Sequence, residues 1–471
     1  MFYDIIIIGG GISGIYTAYK INKTHPNKTI LLLEKESTLG GRVFTYHDKY
    51  MQVEAGAGRF NDGHTLLLEL IKELHLTNKL NKISSSAVYS PSDGTSSIEN
   101  SVLDAPYNES SVIFEPLFAN ALDMGLGKET LPNAELITKL VIASKFESKE
   151  TLINQSLESY ARTILTPEET EYIKDTFGYY SELVIMNAYD ALQLIPVLGP
   201  LNQFYSLQGG LSQIIEKMVQ QIKKNPRIKI QTKKSVSQII PIQSGGFQIK
   251  TSSNKENTKK QKPSLNKTKT NKQIPIPSYL KDYVCKTCIC ALPREALESI
   301  SLFKPIFPLL KQVEYGSLCR IYCKFKPDSD GKQWFDNLPK MTTNNNLRMI
   351  IPINTKKGII MISYSDNKYA DYWNHLYKEK GMSKMVKQLQ YLVQQTTGIK
   401  IPYPIHTKIF YWKYGVGYWG VHADSEKISK QILKPFEDQN LFVCGENYSG
   451  KNQQWIEGAL ETSEQVIKEL V

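Results

Sequence analysis

Residues 4–14, DIIIIGGGISG, decide the fold. Asp4 leads into four isoleucines, an uninterrupted β-branched run suited to a strand buried on both faces. Gly9-Gly10-Gly11-Ile12-Ser13-Gly14 is a GxGxxG turn, and residues 15–23 continue with apolar positions at helical spacing. A second apolar strand, residues 29–33, ends at Glu34. Strand, glycine turn, helix, strand and terminal acid within about thirty residues match a dinucleotide-binding βαβ unit. Gly9 permits the tight turn, Gly11 lets the backbone approach a pyrophosphate, and Gly14 lets the helix pack closely on the strand. Ser13 and the unpaired N–H groups of the helix N-terminus suit the diphosphate. Glu34, with Lys35 beside it, suits the ribose hydroxyls. The expected fold class is α/β.

With 41% hydrophobic and 10% aromatic residues, the 471-residue chain can bury a large core. Its length suits two to four domains of about 100–200 residues. The net charge of +11 comes from 57 Lys+Arg against 46 Asp+Glu, and the 57 divide into 50 Lys and 7 Arg. Where so Lys-biased a chain keeps an Arg, a planar, permanently charged fork is implied. Seven Lys and one Glu crowd into residues 255–272, within a Lys-, Asn- and Thr-rich stretch, 251–277, that reads as a flexible hairpin-tip loop. That loop has no interleaved aromatics to stack bases, so no specific nucleic-acid partner is expected.

Six cysteines do not make a disulfide framework in a chain this long. Residues 285–290, CKTCIC, read as a buried strand whose thiols act as small apolar groups. No HxH, HExxH or Cys/His set suggests a metal. The apolar run 5–8 is too short for a signal peptide or a membrane span, and the chain ends without an apolar tail, so a soluble, cytoplasmic protein is expected.

Further along, residues 115–195 read as largely helical, with Thr166, Pro167 and Glu169 composing a capping box. Gly209-Gly210 precede an amphipathic helix at 211–223. Residues 228–240, 246–250, 316–325 and 347–364 read as strands, and 369–397 as one or two helices. A strand at 440–445 precedes a helix at 455–470. His64 opens a helix as a capping or packing residue.

Four blocks together resemble the flavin-containing amine oxidase superfamily, nearly end to end. They are the βαβ unit with Glu34; Leu39-Gly40-Gly41-Arg42-Val43; Glu54-Ala55-Gly56-Ala57-Gly58-Arg59-Phe60; and Leu441-Phe442-Val443-Cys444-Gly445-Glu446 followed by Trp455-Ile456-Glu457-Gly458-Ala459. The resemblance implies a Rossmann-type FAD-binding domain (1–85, 205–298, 405–471) interleaved with an α+β substrate-binding domain (86–204, 299–404). It implies that Gly41, Arg42, Gly56, Ala57, Gly58, Arg59, Gly445, Glu446, Trp455 and Ile456 contact FAD. Glu446 would meet the ribityl–phosphate region, the Val236 backbone the adenine, and Trp412 the flavin ring. Some relatives attach flavin through a Cys. Here residues 414–420, YGVGYWG, have none, so non-covalent FAD is expected.

The E-x-G-A-x-R block resembles L-amino-acid and tryptophan oxidases more than monoamine oxidases, and implies that Arg59 pairs with a substrate carboxylate. The implied reaction oxidises an amine, foremost an L-amino acid, to an imine by hydride transfer to the flavin; hydrolysis gives a keto acid and ammonia, and O2 is the acceptor. Tyr418, Trp419 and Trp455 are the implied aromatic walls of that site. Where the family's oxidases carry a strand Lys that holds a water near the flavin, this chain carries Arg320, which equally suits a dehydrogenase or desaturase that avoids oxygen. The same blocks would also serve a monoamine or polyamine oxidase, or a non-catalytic flavoprotein. A homodimer is compatible with each of these activities.

Overall fold

The structure, a computed structural model, describes residues 1–83, 88–90, 133–198, 202–253 and 281–470. At its centre the strand Phe2–Ile8 pairs in parallel with Ile30–Leu33 on one side and Lys281–Cys290 on the other, in register Ile5↔Ile30 and Ile6↔Cys288. Ile228–Gln231 extends the first edge. Lys281–Cys290 pairs with Leu441–Val443, and with Phe247–Ser253 and through it Lys234–Pro241, completing seven strands. The isoleucine run is buried throughout because helices pack over its sheet: Ile12–Thr24 lies against both Ile456–Lys468 and Ser212–Ile222. The chain's end thus returns to the first βαβ unit.

A second sheet of six strands runs His406–Trp419, Val313–Lys324, Ile359–Asp366, Met349–Asn354, Met341–Thr342, Val88–Tyr89. The helix Asn367–Thr397, broken at Gly381 (φ 76°), covers it and buries Trp373. The stretch read as one strand at 347–364 is a hairpin, turned where Gly358 N donates to Thr355 O at 2.9 Å. His406–Trp419 pairs within this second sheet, although a domain boundary near 405 groups it with the first.

Between residues 133 and 198 six helices form a cluster with its own core. Thr166 and Glu169 form the expected capping box on Pro167–Thr176, with the Thr166 hydroxyl accepting from Glu169 N at 3.2 Å. Arg348, fully buried, ties the cluster to the second sheet: it donates to Lys174 O at 2.6 Å and Thr343 O at 3.2 Å and lies 3.6 Å from Asp175. Lys could not span three such acceptors. All six cysteines are free and buried. The 115–132 part of the expected helical region, and all but residues 251–253 of the Lys-rich stretch, lie outside the described residues. Among the described residues no helix is long and apolar enough to cross a membrane, and no cluster of His, Cys, Asp or Glu could hold a metal ion.

Candidate active site

Both sheets and the helical cluster contribute to one cavity of about 2520 Å3. A pocket for a single small ligand holds about 300–1,000 Å3, so this one has room for a dinucleotide and a second molecule.

Its first end is the glycine turn. Gly11 caps the helix Ile12–Thr24 with no side-chain hydrogen bond, and no acid occupies the first turn, so the N-terminal N–H groups and their positive dipole end remain uncompensated. Gly11 has φ −74°, which any residue adopts, and a Cβ placed there meets nothing within 4 Å. The protein's own packing does not require glycine at this position, and its absent side chain leaves the backbone open to a ligand. Gly9, Gly11 and Ser13 line the cavity. Gly14 does not: its added Cβ would lie 2.0 Å from Gly9 O, which is the helix-on-strand contact expected of it. Gly40 N donates to Gly10 O at 2.8 Å, bringing the second glycine pair and Arg42 alongside. Glu34, Lys35 and Gly41 line the cavity too. The Glu34 carboxylate accepts from Gly10 N (2.6 Å) and Glu36 N (2.8 Å), one bond per oxygen, leaving acceptor capacity toward the cavity. Ser235 and Val236 line it where a bulge between Val236 and Gln238 interrupts the pairing of Lys234–Pro241.

Glu446 anchors the middle. Its carboxylate accepts from Arg42 (2.5 Å), Asn447 Nδ2 (3.1 Å), Gln454 N (3.2 Å) and, at 3.5 Å, Gly417 N. Gly445 (φ 147°), Ile456 and Trp455 line the cavity beside it. Glu457 turns away, accepting from Leu66 N and Leu67 N at 2.9 Å each, and so caps the helix Thr65–Glu73 from a distance.

The backbone of residues 54–58 is gripped from the second sheet. Arg320 donates to Glu54 O at 2.9 Å and also to Gly56 O; Tyr322 OH donates to Glu54 O (2.7 Å) and Trp412 Nε1 to Ala55 O (2.7 Å). Arg320 lies 4.6 Å from the Tyr364 ring centroid. Gly56, Ala57, Gly58, Arg320 and Trp412 all line the cavity.

Arg59 stands at the far end. Its Nη2 donates to Tyr179 OH at 2.7 Å and its guanidinium lies 4.6 Å from the Phe204 ring centroid. Among the described residues no carboxylate ion-pairs with it. Trp455 lies between His64 and Phe204, with Nε1 buried and unpartnered. Tyr418 lines the cavity, and Gly316 is the gap it fits into: a Cβ there would sit 2.8 Å from its ring.

Trp419 corrects one expectation. It is 1% exposed, donates Nε1 to Ser449 O at 2.9 Å and belongs to the core of the first sheet, because adjacent residues of a strand point to opposite faces. Tyr179, Glu182, Lys340 and Tyr364 are among the cavity residues that carry no motif in the sequence, so that a signal for them must come from elsewhere. A signal for the first two existed in Phe177-Gly178-Tyr179-Tyr180, where a glycine at φ 83° and an aromatic pair break a run that reads as continuous helix. Burial, with Arg59 as the neighbouring cation, pushes the Lys340 ammonium well below the usual lysine range.

Behind Trp455, His64 is a packing residue: its Nδ1 accepts from Asn61 N at 3.3 Å and its Nε2 has no partner. Burial lowers its pKa from 6.5 to about 4. Between these values the unfolded chain binds a proton that the folded one does not, so stability falls as pH drops through this window, by up to about 3 kcal/mol. Urea unfolding from pH 7 to pH 4 checks this, and His64→Gln should flatten that part of the profile.

These residues fit FAD: an uncompensated helix N-terminus and Arg42 for the diphosphate, Glu34 for a ribose, and an aromatic-lined floor over residues 54–58. Among the described residues no cysteine lines the cavity. Residues 12–466 match the family model described as flavin containing amine oxidoreductase. An uncharacterised protein of Acanthamoeba polyphaga mimivirus is 22% identical over 98% of this chain and 93% of its own length. Aplysianin-A of Aplysia kurodai is 22% identical over 99% of this chain and 90% of its own. A structure of putrescine oxidase bound to putrescine superposes with a TM-score of 0.70 at 12% identity, over 100% of this chain and 99% of that one, which is a likeness of fold. A dinucleotide cradle built from the family's motifs, within a match that spans nearly the whole sequence, makes this chain a member of the flavin-containing amine oxidoreductase family.

Proposed function

We propose that this FAD-dependent oxidoreductase oxidises L-amino acids to imines, which hydrolyse to keto acids and ammonia. The observation that carries the reading is Arg59. It is one of seven arginines in the chain, it lines the cavity without a carboxylate partner among the described residues, and Tyr179 and Phe204 hold its fork in place. Such a fork binds a carboxylate by two charge-assisted hydrogen bonds and fixes its orientation. When bound, FAD supplies the two-electron acceptor for the hydride leaving the substrate carbon. Trp455 and Tyr418 wall the cavity and keep water from the reacting amine, and Arg59 sets which substrate carbon faces the cofactor. Comparing L-leucine with 3-methylbutylamine, the same side chain without the carboxylate, tests this. The amino acid should be favoured in kcat/KM by well over tenfold, and equal use of the two would remove the reading.

A second reading concerns the electron acceptor. Arg320 commits one nitrogen of its guanidinium, Nη1, to the carbonyls of both Glu54 and Gly56. Slow reaction with O2, and a preference for another acceptor, follows from an arginine so engaged. Arg320→Lys should speed reoxidation of the reduced enzyme by O2 while lowering stability by about 2 kcal/mol for the lost charge-assisted bond. Reoxidation unchanged from wild type would contradict it.

A further inference from the structure

Glu182 lies on the helix Tyr180–Val184 and lines the same cavity as Arg59, Trp455 and Tyr418. It is 6% exposed, and its Oε2 has no hydrogen-bonding partner. A buried carboxyl left this way is costly, and almost all buried polar groups find partners. Its position is imposed from behind: Asp366 accepts from Tyr180 N (3.2 Å) and Ser181 N (2.6 Å), fastening the first turn of the helix to the second sheet.

The charged and titratable groups around Glu182 come from several elements. Asp366 and Arg59 act on it directly, it acts in turn on the Tyr179 and Tyr418 phenols, and Lys340 stands near Arg59. Burial, and then the charge of Asp366, push its carboxyl well above the usual carboxylate range, with Arg59 opposing. The cavity therefore holds a fixed cation and a buried acid, biased by its surroundings toward the neutral form, that are not paired with one another.

We propose that Glu182 is the counter-charge for an ammonium group of the substrate. The inference rests on the amine-oxidising reading of the cavity but not on the role given to Arg59. An alkylammonium ion entering beside this carboxyl favours its charged form, so the proton that the carboxyl gives up on forming the ion pair leaves to solvent. No bond to carbon changes.

The test uses the holoenzyme at pH 7 and two single-charge probes, pentylamine and pentanoate, titrated calorimetrically in buffers of different ionisation enthalpy. Wild type should release protons on binding pentylamine. Glu182→Gln should weaken pentylamine about 10- to 100-fold, abolish the proton release and leave pentanoate unchanged. Glu182→Asp, which keeps the charge, should recover part of the affinity and the proton release, which a merely structural role would not restore. Pentylamine binding at wild-type affinity with undiminished proton release in Glu182→Gln would overturn the proposal. Pentanoate binding indifferent to Arg59→Lys would instead remove the carboxylate clamp and leave Glu182 standing.

Discussion

Arg59→Lys should lower kcat/KM for L-amino acids by about 10- to 100-fold while FAD stays bound. The range follows from losing one hydrogen bond to a charged group, which costs about 1.5–3 kcal/mol, each 1.4 kcal/mol being tenfold. The substitution keeps the charge, so only the geometry is lost. A lysine ammonium cannot donate to Tyr179, lie against the Phe204 ring and still offer a carboxylate two parallel N–H groups. The loss should appear mainly in KM for the amino acid, with little change for the matching amine. Steady-state kinetics on L-leucine and 3-methylbutylamine, with the flavin spectrum recorded alongside, separate a lost clamp from a lost cofactor.

Two glycines of the same turn should fail in different ways. Gly14→Ala drives a Cβ to within 2.0 Å of Gly9 O, a backbone atom that cannot rotate aside. The helix must lift from the strand, and the variant should lose about 3 kcal/mol or more of stability together with its flavin. The Cβ of Gly11→Val meets no protein atom within 4 Å and the position needs no unusual backbone angle, so the variant should melt close to the wild-type apoprotein. It should nonetheless purify colourless, because its side chain occupies the space the pyrophosphate needs. Thermal melting of the apo forms and absorbance of the purified forms distinguish the two. A Gly11→Val protein that retains FAD would place the diphosphate elsewhere.

What the sequence made legible was what is local. Strand, turn, helix and acid lie within residues 2–34, and each short-range requirement leaves its own residue type behind. The blocks at 54–60 and 441–459 were readable for the same reason. The partners of the first are not local: Arg320, Tyr322 and Trp412 reach its carbonyls across more than 260 residues of chain, and their roles exist only once the second sheet forms. Trp419 was misplaced by one residue of strand alternation, while Tyr418 beside it faces the cavity. Glu182 was missed because the glycine and the aromatic pair at 178–180 were read as part of one helical run. The break at Gly178 and the anchor at Asp366 turn an ordinary acidic position into a buried one.

The scarce arginines are legible in both directions. Arg42, Arg59 and Arg320 line the cavity. Arg348 and Arg294 instead serve the fold: Arg348 joins the helical cluster to the second sheet, and Arg294 ion-pairs with Glu298 at 3.0 Å and donates to Val313 O at 2.5 Å. Five of the seven arginines thus face the cavity or the core, where a planar fork has a use, while Arg162 and Arg227 are exposed.

Anaerobic addition of L-amino acids to the purified holoenzyme, followed by flavin absorbance, is the most direct measurement. The expected result is bleaching of the oxidised flavin by an L-amino acid, with the keto acid recovered in equal amount, and none by the corresponding D-amino acid. Bleaching by simple amines and not by any L-amino acid would contradict the role of Arg59 and the proposed substrate class together.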